Sequence, residues 1–94
     1  MVVIPANIVE DLRNRYRESQ SITKGLRELI FGHRELFAHK IEWLRLARDA
    51  FSLSLSQAKP LCGWSPDNDD YLDDAQVDGF VVPEIESMRS TWDK

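Results

Sequence analysis

Three side chains of the 94-residue chain could act as soft metal ligands or nucleophiles: His33, His39 and Cys62. A histidine pair on one helix binds metal when the two rings share a face. Six residues of separation put His33 and His39 on different faces. Neither a His-Glu-x-x-His pattern nor paired cysteines occur. Nucleophilic catalysis by Cys62 would need a base and an orienting group nearby. The local context, Leu61-Cys62-Gly63-Trp64, is apolar, which suits a packed thiol. Asp67, Asp69, Asp73 and Asp78 fall at positions one, three, seven and twelve of a calcium-loop register. That loop also needs an oxygen ligand at five, glycine at six and a long bidentate Glu at twelve. Here Tyr71, Leu72 and the shorter Asp78 stand there. The glycines at 25, 32, 63 and 79 are scattered and make no phosphate-cradling loop. The expectation is a protein with no catalytic residue, no cofactor and no metal.

Charge points elsewhere. Residues 1–59 hold ten Lys/Arg and seven Asp/Glu, a net +3; residues 60–94 hold two and nine, a net −7. Such polarity steers partners. An acidic end formed by Asp67, Asp69, Asp70, Asp73, Asp74 and Asp78 would repel nucleic acid and attract a basic protein surface, or serve as a well-solvated loop. Hydrophobic residues make up 43% of the chain, with three Trp, four Phe and two Tyr, so it carries the material for a folded core. This length implies one domain over 1–94 with a thin core. No apolar run reaches the roughly 18 residues of a membrane span. The N-terminus lacks the pattern of a secretory signal, and a single cysteine builds no disulfide framework. These features predict a cytoplasmic protein.

The elements that would position these groups read as helices. Ile8, Val9, Leu12 and Tyr16 predict a first helix over about 5–19, entered through Pro5. Ser21 and Thr23 offer capping chemistry before a stripe of Leu26, Leu29 and Ile30 that Gly32 would end. A third helix over about 33–51 has a polar strip of Glu35, Glu42, Arg45 and Asp49, spaced for Glu42–Arg45 and Arg45–Asp49 pairs. The rest of it is apolar, more than one core-facing stripe requires. Ser54 and Gln57 form a capping box for a short helix that passes Pro60 and ends at Gly63. Tyr71, Leu72, Ala75, Val77 and Phe80 suggest a further helix capped by Asp69 or Asp70, and Pro83 would open a last one with Ile85, Met88 and Trp92. Val2-Val3-Ile4 and Phe80-Val81-Val82 are β-like triplets that could pair as a small terminal ribbon. The fold class is all-α: a compact bundle of four to five short helices, with room for that minimal β-ribbon.

Residues 56–66 superficially follow the first helix and turn of a helix-turn-helix. The segment in the recognition position, Asp69–Asp74, has none of the positive charge that phosphate contacts demand. A basic face on Arg13, Arg17, Lys24 and Arg27 is the remaining route to nucleic acid.

Residues 40–62 carry Lys40-Ile41-Glu42-Trp43-Leu44-Arg45-Leu46-Ala47-Arg48-Asp49, then Leu53-Ser54-Leu55-Ser56-Gln57-Ala58-Lys59 and Leu61. This stretch, about a quarter of the chain, resembles the helix hairpin in the C-terminal domain of the bacterial ribosomal stalk protein. In that family the exposed hairpin face recruits translation factors. The resemblance implies a protein-docking face at Lys40, Ile41, Leu44, Arg45, Arg48 and Lys59. The combined expectation is a small acidic module of the inhibitor, immunity or adaptor kind, acting by protein–protein contact. The alternatives are a homodimer built on the third helix, or a helix-turn-helix-like protein associated with nucleic acid.

Overall fold

A computed structural model describes residues 4–67 and 69–93. The described chain is all-α: α1 (Ala6–Ser19), α2 (Ile22–Gly32), α3 (Lys40–Phe51), α4 (Leu55–Ala58), a 3-10 segment (Lys59–Gly63), α5 (Asp74–Ser87) and α6 (Arg89–Trp92). The Cα radius of gyration is 11.9 Å, close to the ~12 Å of a compact domain this long. The described residues form six α-helices, of which α4 and α6 are single turns, in keeping with the expected bundle of short helices.

Each boundary has a local cause. The αL conformation of Gln20 (φ 56°) closes α1, and its N–H returns to the Tyr16 carbonyl. The Ser21 hydroxyl accepts from the Lys24 N–H and starts α2. Ser52 ends α3 in the left-handed region (φ 54°). Ser54 and Gln57 form the expected capping box: each side chain accepts the other's backbone N–H, at 3.1 and 2.9 Å. Asp73 and Gln76 do the same for α5, so the cap is Asp73 and not Asp69 or Asp70.

Three expectations are corrected. The third helix begins at Lys40, not near residue 33, because residues 33–39 turn. Phe37 in that turn is still buried, and Leu36 packs against the core. The helix keeps one full buried stripe: Trp43, Leu46, Ala47, Ala50 and Phe51. Its expected Glu42–Arg45 and Arg45–Asp49 pairs do not form. Glu42 instead turns back to accept the His39 N–H. Second, Phe80–Val82 lies in α5 and cannot form a ribbon; Val2 and Val3 fall outside the described residues. Third, Pro83 lies inside α5 rather than opening a helix. The reason is the stripe Val77, Val81, Ile85, fully buried at helical spacing. Burying three such side chains contributes about 1.5–3 kcal/mol each, more than the roughly 3 kcal/mol an internal proline costs.

The core has two aromatic centres. Tyr16, Phe51 and Trp92 meet edge-to-face with centroids 4.8–5.9 Å apart. Trp43 and Trp64 meet at 5.0 Å. The Tyr16 hydroxyl donates to Glu86 at 2.6 Å; burial, then that carboxylate, pushes the phenol well above its ordinary range.

Candidate functional site

The fold ties charges from both ends of the pattern into internal pairs. On α1, Arg13 and Arg17 both reach Glu10, and Arg15 bridges Asp11 and Glu28. Arg17 and Arg89 share Asp93 at 2.9 and 2.6 Å, and both guanidinium groups sit over the Trp92 ring. Arg27 is held in a bidentate pair by Asp74 at 2.6 and 2.7 Å. The basic face expected from Arg13, Arg17, Lys24 and Arg27 therefore has three of its four charges committed to carboxylates within the fold.

The acidic segment is likewise drawn inward. Asp74 also accepts from the Trp64 indole N–H at 2.8 Å. The Arg27 bond is the main reason its carboxyl lies below the ordinary aspartate value, with Trp64 adding to it against burial. Asp78 accepts from the Ser21 and Thr23 hydroxyls and the Thr23 N–H, at 2.7–3.1 Å, and so closes the start of α2 from α5. Asp73 caps α5, and Asp69 accepts from the Ser65 hydroxyl. Asp70 takes the Lys40 ammonium at 2.8 Å, which with the Tyr71 N–H lowers its pKa. Of the six aspartates, Asp67 alone has no side-chain hydrogen bond to another described residue. Asp67, Asp69 and Asp73 face solvent; Asp70, Asp74 and Asp78 are half-buried.

The docking positions on α3 fall on one face, since Lys40, Leu44 and Arg48 are spaced by four, as are Ile41 and Arg45. Ile41, Arg45 and Arg48 are exposed, while Leu44 is half-buried. Lys40 is a hub: its ammonium donates to Asp70 and, at 2.7 Å, to the carbonyl of Cys62 in the 3-10 segment. Lys59 is exposed in the same segment.

Around that hub lie hollows that the sequence did not announce. One, of about 280 Å³, is bounded by Ser56, Lys59, Pro60, Leu72 and Phe80, between the 3-10 segment and α5. It shares Ser56 and Lys59 with a wider depression reaching Leu55 and Cys62. Cys62 is exposed, not packed as expected, because the 3-10 turn buries Leu61 and Gly63 on either side of it. A third hollow, a crevice of about 500 Å³ beyond Lys40, is walled by Ile30, Phe31, Arg34, Phe37 and Trp43, with Asp67 at its rim. Among the described residues the large apolar side chains left exposed are Phe31 (41%), Ile41 (69%), Leu55 (56%), Tyr71 (86%) and Phe80 (60%). Phe31, Leu55 and Phe80 line these hollows. Ile41 and Tyr71 adjoin Lys40 and Asp70 in sequence. None of the five is on α1 or α6.

Phe80 and Leu55 were missed for identifiable reasons. Reading a helix break at Pro83 hid the fact that Phe80 lies off the Val77–Val81–Ile85 stripe. Leu55 is the first residue of α4, where a periodicity of one turn carries no direction.

No group of three His, Cys, Asp or Glu that could hold a metal ion forms among the described residues, and no helix among them is long and apolar enough to cross a membrane. The chain matches no known protein-family model, no curated protein and no solved structure.

Proposed function

We propose that the protein is a small binding module of the inhibitor, immunity or adaptor kind, which docks a partner protein on the side centred on Lys40 and Cys62. The observation that carries this is the segregation of exposed apolar side chains. Scattered surface hydrophobics are ordinary; clustered ones mark contact sites. Here Phe31, Leu55 and Phe80 line hollows on α2, α4 and α5, while α1 and α6 carry no exposed large apolar side chain among the described residues and are laced with ion pairs. The exposed part of the α3 face, with Ile41, Arg45 and Arg48, adjoins the same region and is included in the dock.

The acidic segment gives less support to a basic partner than its composition suggests. Asp70, Asp74 and Asp78 are tied into the fold, which leaves Asp67, Asp69 and Asp73 to face an incoming surface. Apolar contact supplies the affinity in this reading, and those three carboxylates bias its orientation.

The test compares affinity capture by the wild-type chain, a Leu55→Glu/Phe80→Glu variant and an Asn14→Glu control on α1, each checked for folding. The expected result is a partner retained by wild type and control and lost by the double variant. Equal retention by all three would overturn the assignment. A strict monomer by mass in dilute solution would remove a second copy of the chain as the occupant.

A further inference from the structure

The crevice beyond Lys40 differs in chemistry from the hollows beside Leu55 and Phe80. Its buried walls are Ile30, Phe37 and Trp43, and Phe31 stands at its mouth. Its volume of about 500 Å³ is within the ~300–1,000 Å³ range of ligand pockets. What distinguishes it is an excess of hydrogen-bond donors. Arg34 is exposed and lies over the Phe31 ring at 5.0 Å from its centroid. It has no ion-pair partner among the described residues.

Trp43 supplies a second donor. The indole N–H groups of Trp64 and Trp92 bind Asp74 and the Ile85 carbonyl. That of Trp43 has no hydrogen-bond partner among the described residues, although Trp43 is only 5% exposed. No side-chain polar atom among those residues is both sealed from water and without a partner. The Trp43 N–H therefore keeps some contact with solvent, and Trp43 is one of the residues that line the crevice. Lys40 uses two of its three N–H donors, on Asp70 and the Cys62 carbonyl, and keeps one. Among the described lining residues the sole carboxylate is Asp67, whose charge also acts on Arg27.

We infer that this crevice takes an aromatic side chain from an acidic segment of a partner protein, with the neighbouring carboxylate bound by Arg34. An apolar floor with unused donors at its edge complements a ring and an anion held one side chain apart. A cationic segment would place its charge against Arg34 and Lys40. This rests on the docking proposal and names the chemistry of one end of the contact.

The test uses three capped dipeptides, N-acetyl-Phe-Asp-amide, N-acetyl-Phe-Asn-amide and N-acetyl-Phe-Lys-amide, titrated into the full chain. The readout is the Trp43 indole N–H resonance, assigned by Trp43→Phe. The expected result is a saturable shift with the Asp peptide, and affinity about tenfold weaker for the Asn peptide or for Arg34→Gln, as loss of a charge-assisted bond predicts. The Lys peptide should bind weakest. Equal affinity of Asp and Asn peptides, an Arg34→Gln variant as tight as wild type, or a response only at Trp64 or Trp92 would each overturn the inference. The Leu55→Glu/Phe80→Glu variant should still bind the Asp peptide, so failure of the wider dock and failure of the crevice are separable.

Discussion

Asp74 shows how one side chain can be read two ways. As composition it is one of a run of carboxylates available to a partner. In the fold it is the shared acceptor of Arg27 and Trp64 and joins α2, α5 and the segment after the 3-10 turn. Asp74→Asn should cost about 1–2 kcal/mol in urea unfolding, since the bidentate charge-assisted pair is partly screened by solvent. The sign of the pH effect follows from the direction of its shift. The Arg27 guanidinium holds the folded carboxyl below its ordinary range, so its contribution is complete above the unfolded value and is lost as pH falls through the folded one. The variant should therefore show a flatter loss of stability below about pH 4. An acid limb identical to wild type would assign that loss to other carboxylates.

Helices α1, α2 and α4 were largely legible because their caps and stripes agree: Ile8, Leu12 and Tyr16 repeat at one turn, Ser21 caps α2, and Ser54 with Gln57 starts α4. Legibility failed where a local rule met a tertiary one. Pro83 reads as a helix start, yet the buried stripe carries α5 through it. The two placements predict opposite outcomes for Pro83→Ala. Inside a helix, alanine restores a donor for the Gly79 carbonyl and should raise stability by about 1–3 kcal/mol; at a first helical position it would lower stability. Thermal melting decides between them. Gly79→Ala meets no atom within 4 Å and should add up to ~1 kcal/mol on propensity alone. The joint between α2 and α5 was invisible in sequence because Asp78 and Ser21 are 57 residues apart. Asp78→Ala leaves the Thr23 N–H and two hydroxyls without their acceptor and should cost about 2 kcal/mol; a change under about 0.5 kcal/mol in chemical unfolding, the size of an ordinary surface substitution, would show the joint is dispensable.

At the scale of the whole molecule, the polarity seen in composition resolves into two unlike sides. The α1–α6 side is covered by Arg–carboxylate pairs and cations stacked on Trp92. Elsewhere, α2, α4 and α5 leave Phe31, Leu55 and Phe80 in contact with solvent. That the α3 positions proposed for docking share a helix face was legible in the sequence because a face follows from spacing. The hollows could not, since they arise where the 3-10 segment meets α5 and where the turn at 33–39 meets α3. If exposed Leu55 and Phe80 serve contact rather than folding, Leu55→Glu and Phe80→Glu should each change unfolding stability by less than about 0.5 kcal/mol. Large destabilisation by either would mean that the side chain is core.

Site-specific photo-crosslinking in the native host tests the docking side most directly. A photoreactive residue placed in turn at Leu55, Phe80 and Asn14 reports what lies against each position. Leu55 and Phe80 should yield the same discrete protein adduct, and Asn14 on α1 should yield none of it. Absence of an adduct from both apolar positions, or the same adduct from Asn14, would contradict a partner bound on the Lys40–Cys62 side.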